Sequence, residues 1–136
     1  MAGSFEDRFE IQELVSRYNH AIDFANYDAW VDCFTEDGIF EGASGKFVGR
    51  PELLKFTELF KEMRLKMPNI RHCVLNTVTD VEGDNAISCS YLQLLTTGKE
   101  GTTLLFSGRY NDKVCKVDGQ WRFKERKAKR DMPPRD

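Results

Sequence analysis

The spacing of apolar positions changes at Pro68. Before it, they recur at helical spacing. Ile11, Leu14, Val15, Tyr18 and Ile22 follow an i, i+3, i+4, i+7 stripe, which predicts a helix from Phe5 to Phe24. Ser4 suits its N-cap, Glu6 and Asp7 its first turn, and Asn26 its end. A second, short helix is predicted from Asp28 to Phe34, carrying Trp30 and Phe34 inward. Thr35-Glu36-Asp37-Gly38 then reads as a turn. Ile39-Phe40-Glu41 and Lys46-Phe47-Val48 read as short strands around Gly42-Ala43-Ser44-Gly45. Gly49-Arg50-Pro51-Glu52 opens a third helix, with Leu53, Leu54, Phe56, Leu59, Phe60 and Met63 on its apolar side.

After Pro68 the period becomes two. Four long strands are predicted, at about 69–81, 85–97, 102–117 and 120–130. Tight turns at Glu82-Gly83-Asp84, Gly98-Lys99-Glu100-Gly101 and Val117-Asp118-Gly119 imply an antiparallel meander. Helices first and strands after imply an α+β fold, three N-terminal helices packed on one face of a curved, mostly antiparallel sheet. No repeat, linker or low-complexity segment interrupts it, and 136 residues suffice for one domain with its own core.

Charge adds little to this picture. Twenty basic and 22 acidic side chains leave a net charge of -2, with no electrostatic footprint for nucleic acid or an anionic membrane. The basic run Arg122 to Arg130 alternates with Phe123, Glu125 and Ala128 and reads as a solvated strand end. No stretch of about 18 apolar residues predicts a membrane span, and the acidic N-terminus lacks an apolar signal region, so the expected location is cytoplasmic. Cys33, Cys73, Cys89 and Cys115 form no C-x-x-C pair, which argues against zinc and for small buried hydrophobes.

His72 is the first candidate for chemistry. Alternation places Ile70, His72, Val74, Asn76 and Val78 on one strand face. A titratable ring on a largely apolar face is either a core histidine tied down by one hydrogen bond or a general base in a dry pocket. Cys73 is its neighbour in sequence but points to the opposite face. His20 falls at the helix surface and reads as solvated. No metal cluster, phosphate loop or dinucleotide fingerprint is present, so neither a metal nor a cofactor is expected.

Several segments together resemble the SnoaL-like branch of the nuclear transport factor 2-like superfamily. They are Tyr18-Asn19-His20-Ala21-Ile22-Asp23, Tyr27-Asp28-Ala29-Trp30, Cys33-Phe34-Thr35-Glu36-Asp37-Gly38-Ile39-Phe40-Glu41, Gly49-Arg50-Pro51-Glu52-Leu53 and Gly119-Gln120-Trp121-Arg122-Phe123. Each is loose alone, but their order and spacing are fairly specific. The resemblance covers nearly the whole chain and implies one domain, 1–136, folded as a cone-shaped α+β barrel.

It also implies a site. In scytalone dehydratase, hexachlorocyclohexane dehydrochlorinase and bile-acid 7α-dehydratase, an Asp near the end of the first helix pairs with a His on the first long strand. Asp23 and His72 match those positions. Tyr18 matches a tyrosine of the bile-acid enzyme, and Arg126 a C-terminal arginine of the dehydrochlorinase. Periodicity alone does not aim Asp23 inward, since it lies about 100° around the helix from Ile22. Asp23 could instead bond nearby backbone, and Tyr18 could be a core tyrosine. Strict alternation sets Arg126 opposite Trp121 and Phe123, so a bulge would be needed to bring it to their side.

The rest of the pocket is expected to be apolar, from Trp30, Phe40, Phe56, Phe60, Tyr91 and Phe106, with Asn76 available to bond substrate or backbone. The resemblance thus implies a cofactor-independent lyase, a dehydratase or dehydrohalogenase, acting on a small hydrophobic cyclic molecule. A polyketide cyclase or ketosteroid-type isomerase on the same pocket is the alternative. A non-catalytic ligand-binding protein, or one like the assembly-supporting β subunits of aromatic-ring dioxygenases, is a third. A homodimer or homotrimer is implied as well.

Overall fold

The computed structural model describes residues 3–134. Helix α1 spans Phe5–Asp23 and α2 spans Tyr27–Asp32. Strands β1, Phe34–Gly42, and β2, Gly45–Val48, form a hairpin that leads into α3, Gly49–Met63, and a 3-10 turn, Arg64–Lys66. The meander follows as β3, Arg71–Glu82, β4, Asn85–Gly98, β5, Gly101–Val117, and β6, Gln120–Arg130. The six strands form one sheet in the order β2-β1-β6-β5-β4-β3, antiparallel except where β1 runs parallel to β6. Among the described residues no helix is long and apolar enough to cross a membrane.

The start signals of the helices act as expected. Ser4 Oγ accepts the Asp7 N–H at 3.1 Å, and Glu52 reaches back to the Val48 N–H at 3.0 Å. Asn26 has a different task from the one expected. Helix α1 ends at Asp23, and Asn26 caps α2 by accepting the Ala29 N–H at 3.3 Å. Phe34 likewise begins β1 rather than ending α2. The turn expected at Thr35-Glu36-Asp37-Gly38 lies inside β1 as an irregularity: pairing with β6 advances from Phe34↔Phe123 to Ile39↔Glu125. The Thr35 hydroxyl donates to Asp37 across it at 3.0 Å. The local turn chemistry survives, and the strand continues past it.

Ile11, Leu14, Val15, Tyr18 and Ile22 all bury their side chains against the inner face of the sheet, with Leu53, Phe56 and Phe60 of α3. Of the four cysteines only Cys33 is fully buried. Cys89, expected inside, is exposed because β4 alternates and Ser88 and Ser90 take the inner positions.

Candidate functional site

Asp23 closes α1, and His72 is the second residue of β3. Two sets of contacts fix the end of α1, and the second ties it to β3. Arg64, just past α3, donates to the carbonyls of Ile22 and Asp23 at 3.0 Å each, satisfying acceptors that the helix end leaves free. The Asp23 carboxylate accepts the backbone N–H of His72 at 3.0 and 3.2 Å. The same carboxylate meets the imidazole, His72 Nδ1 to Asp23 Oδ1, at 2.6 Å. Both side chains are largely buried, 11% exposed for His72 and 6% for Asp23. A carboxylate only accepts, so Nδ1 carries the hydrogen, and Nε2 is the ring nitrogen left to meet a ligand.

His72 forms part of the wall of an interior cavity of about 410 Å³. The expected residues Tyr18, Phe40, Phe56, Phe60 and Phe106 line it too. Sequence reasoning did not single out Tyr110, Leu92, Leu94, Met63, Met67 or Arg130, which complete much of the wall. Strict alternation along β4 and β5 would have found three of them: Leu92 and Leu94 follow Ser88 and Ser90, and Tyr110 shares a face with Phe106, Gly108 and Asp112. The outer side of the dyad opens on a polar groove of about 360 Å³, lined by Asp23, His72, His20 and Asn19 among others. His20 is exposed there and stacks on Phe24.

Three expected lining residues are elsewhere. Tyr91 is 53% exposed on the outer sheet face, because it falls between the inward Ser90 and Leu92. Asn76 sits at a bulge in β3, where pairing with β4 shifts between Leu75↔Tyr91 and Val78↔Cys89. Its φ is 56°, and the bulge ends the run of inward even-numbered residues, so Thr79 and Val81 turn inside and Val78 outside. Trp30 is fully buried but lies behind the cavity wall, packed on Tyr18, Phe34, Phe40 and Phe56 with ring centroids 5.0–5.7 Å away.

Arg126 is on the inner side. Pairing of β5 with β6 passes from Lys113↔Glu125 to Val114↔Phe123, leaving Lys124 as an extra residue. That bulge puts Arg126 on the face of Trp121 and Phe123. Its guanidinium carbon lies 3.5 Å from the Tyr110 ring centroid, 4.3 Å from Tyr18 and 4.5 Å from Phe123. Its Nε is 3.1 Å from Asp112 Oδ1, a close ion pair without hydrogen-bond alignment, and both side chains are fully buried. Arg126 therefore stands behind the tyrosines and does not line the cavity.

Burial pushes the Tyr18 phenol well above its ordinary value and Tyr110 adds to the rise, against the pull of Arg126. Burial likewise raises Tyr110, with Arg126 again opposing. Both phenols thus stay protonated and can donate to negative charge that develops beside them. Among the described residues no group of three or more His, Cys, Asp or Glu is placed to hold a metal ion.

Comparison with known proteins gives this arrangement a setting. The SnoaL-like domain family matches residues 3–127. A Mycobacterium tuberculosis protein of unknown function, solved as an Asp-to-Asn variant, superposes with a TM-score of 0.85 at 31% identity, over 95% of this chain and 74% of that one. A Novosphingobium aromaticivorans protein provisionally described as an aromatic ring hydroxylase gives 0.80 at 29%, over 96% and 93%. A second protein of that organism, provisionally described as a scytalone dehydratase, gives 0.77 at 24%, over 93% and 85%, a likeness of fold alone. No curated protein matches in sequence.

Proposed function

The chain belongs to the SnoaL-like domain family, and from that premise we propose that it is a cofactor-independent lyase, a dehydratase or dehydrohalogenase of a small hydrophobic ring compound. The observation that carries the proposal is the 2.6 Å contact between His72 Nδ1 and Asp23 Oδ1 at the edge of an apolar cavity. With Nδ1 held by the carboxylate, Nε2 takes a proton from a carbon acidified by a neighbouring group. The C–H electron pair becomes the new C=C bond, and the adjacent leaving group departs with its own bonding pair. Asp23 fixes the tautomer and stabilises the imidazolium.

Tyr18, protonated and facing the cavity, donates to the departing hydroxide or to an enolate oxygen. A halide needs only the hydrogen bond. Arg126 is a positioning residue in this scheme. It holds the rings of Tyr18 and Tyr110 and biases their charge from behind. The apolar wall supports the reading twice over, by favouring a hydrophobic ring and by excluding water that would weaken these interactions.

The pairing of Tyr18 with Tyr110, centroids 5.9 Å apart, supports a second reading. Two neutral phenols beside one base would also suit an isomerase or cyclase that moves a proton next to a carbonyl and holds the enolate oxygen.

Mass spectrometry separates the two. Wild type and His72→Ala would be incubated with cyclic β-hydroxy carbonyl, bile-acid-like and chlorinated ring compounds. Loss of one water or one hydrogen halide by wild type alone is the expected result. Unchanged mass with shifted retention, again absent in the variant, would replace the lyase with the second reading. Equal turnover by both proteins would remove His72 from the chemistry.

A further inference from the structure

Resting on the reading of the interior cavity as the substrate site, we propose that Arg130 makes it selective for ring compounds that carry a carboxylate. Among the described residues that line the cavity, Arg130 alone bears a formal charge at neutral pH apart from the titratable His72, and none is Asp or Glu. The residues Arg126, Ala128 and Arg130 share one face of β6 at increasing height. Arg126 is fully buried behind the tyrosines, outside the cavity, Ala128 is part of the wall, and Arg130 is exposed at the rim. Ala128 is level with Tyr110 in the sheet. Two residues of strand therefore raise Arg130 about 7 Å above Tyr110.

The guanidinium is held where it can act. Its carbon lies 4.3 Å from the centroid of Phe106, another lining residue. Gly108, directly opposite Arg130 in the pairing with β5, presents no side chain to hold it off that ring. The neighbouring Asp131 accepts the Ser107 hydroxyl at 3.1 Å, and among the described residues no carboxylate lies within ion-pair distance of Arg130. A planar fork of donors over the Phe106 ring, without an acidic partner among the described residues and at the lip of an apolar cavity, matches a carboxylate in shape and charge. The substrate's rings would then lie against Phe56, Phe60, Leu92 and Leu94, with the reacting carbon toward His72.

The test is equilibrium binding of anthracene-2-carboxylate and of its neutral primary amide, followed by probe fluorescence, to wild type, Arg130→Gln and Arg130→Lys. The expected preference of wild type for the acid is about fivefold to tenfold at low salt, as fits one charge-assisted pair at a half-open site. Arg130→Gln should bring the ratio to near one, and Arg130→Lys should restore part of it. Equal binding of acid and amide by wild type, or a preference that survives in Arg130→Gln, would overturn the role of Arg130 and leave the cavity reading standing. Failure of both probes to bind wild type would overturn the cavity reading itself, and this proposal with it.

Discussion

At the scale of single residues, Asp23 does two things with one carboxylate. It anchors the start of β3 through the His72 backbone N–H, and it orients the His72 ring. Two substitutions separate these tasks. Asp23→Asn keeps an oxygen for the backbone N–H but removes the charge that stabilises the imidazolium. Its kcat/KM should fall about 10²–10⁴-fold, with a cooperative unfolding transition retained. Asp23→Ala leaves the buried N–H without a partner as well and should cost about 1–3 kcal/mol of stability. Steady-state kinetics and urea unfolding of the two variants check this. An Asn variant with wild-type activity would reduce Asp23 to an anchor. The doubt that periodicity cast on Asp23 has a physical answer. A residue in the last turn of a helix is placed by what docks there, and here that is Arg64 and the backbone of β3.

At the scale of elements, the long periodic segments were legible and the breaks in period were not. The stripe of α1, the apolar side of α3 and the four meander strands follow from apolar spacing and turn residues. Alternation failed where a bulge intervened. In β3 it put Asn76 and Val78 on the inner face, and the bulge turned both away. In β6 it set Arg126 apart from Trp121 and Phe123, and the bulge at Lys124 reunited them. A bulge is specified by the pairing of two strands, so neither strand's own pattern announces it. Asn76 leaves a partial trace, because asparagine tolerates the left-handed φ of 56° that it adopts. Asn76→Gly should therefore be neutral or stabilising, whereas Asn76→Val should destabilise by about 1–2 kcal/mol, read from chemical denaturation. If valine were tolerated as well as glycine, the left-handed conformation would not be needed to form the bulge.

At the scale of the whole molecule, the inner face of the sheet is divided. The cavity end is apolar, with Leu92, Leu94 and Phe106. Toward the other end a polar seam crosses four strands, Thr79 beside Ser88, Ser88 beside Asp112, and Asp112 beside Arg126 in the pairing, all of them buried. Burial pushes the Asp112 carboxyl from 3.8 up to about 6, and Arg126 offsets only part of that rise. The sign for stability follows from that direction. The folded state holds this proton more tightly than the unfolded chain does. The stabilisation is therefore complete below about pH 4 and is lost as pH rises through about 6. Asp112→Asn cannot titrate. The stability of wild type relative to this variant should thus fall between about pH 4 and pH 6, by roughly 3 kcal/mol at about 1.36 kcal/mol per tenfold change in proton affinity. Urea unfolding of both proteins across that window measures the difference directly, because the remaining carboxylates contribute equally to each. Parallel profiles would mean that Arg126 compensates the buried charge in full. The seam would then be an ion pair at all these pH values, and the protonation state of Asp112 would have no part in setting the charge behind Tyr18 and Tyr110.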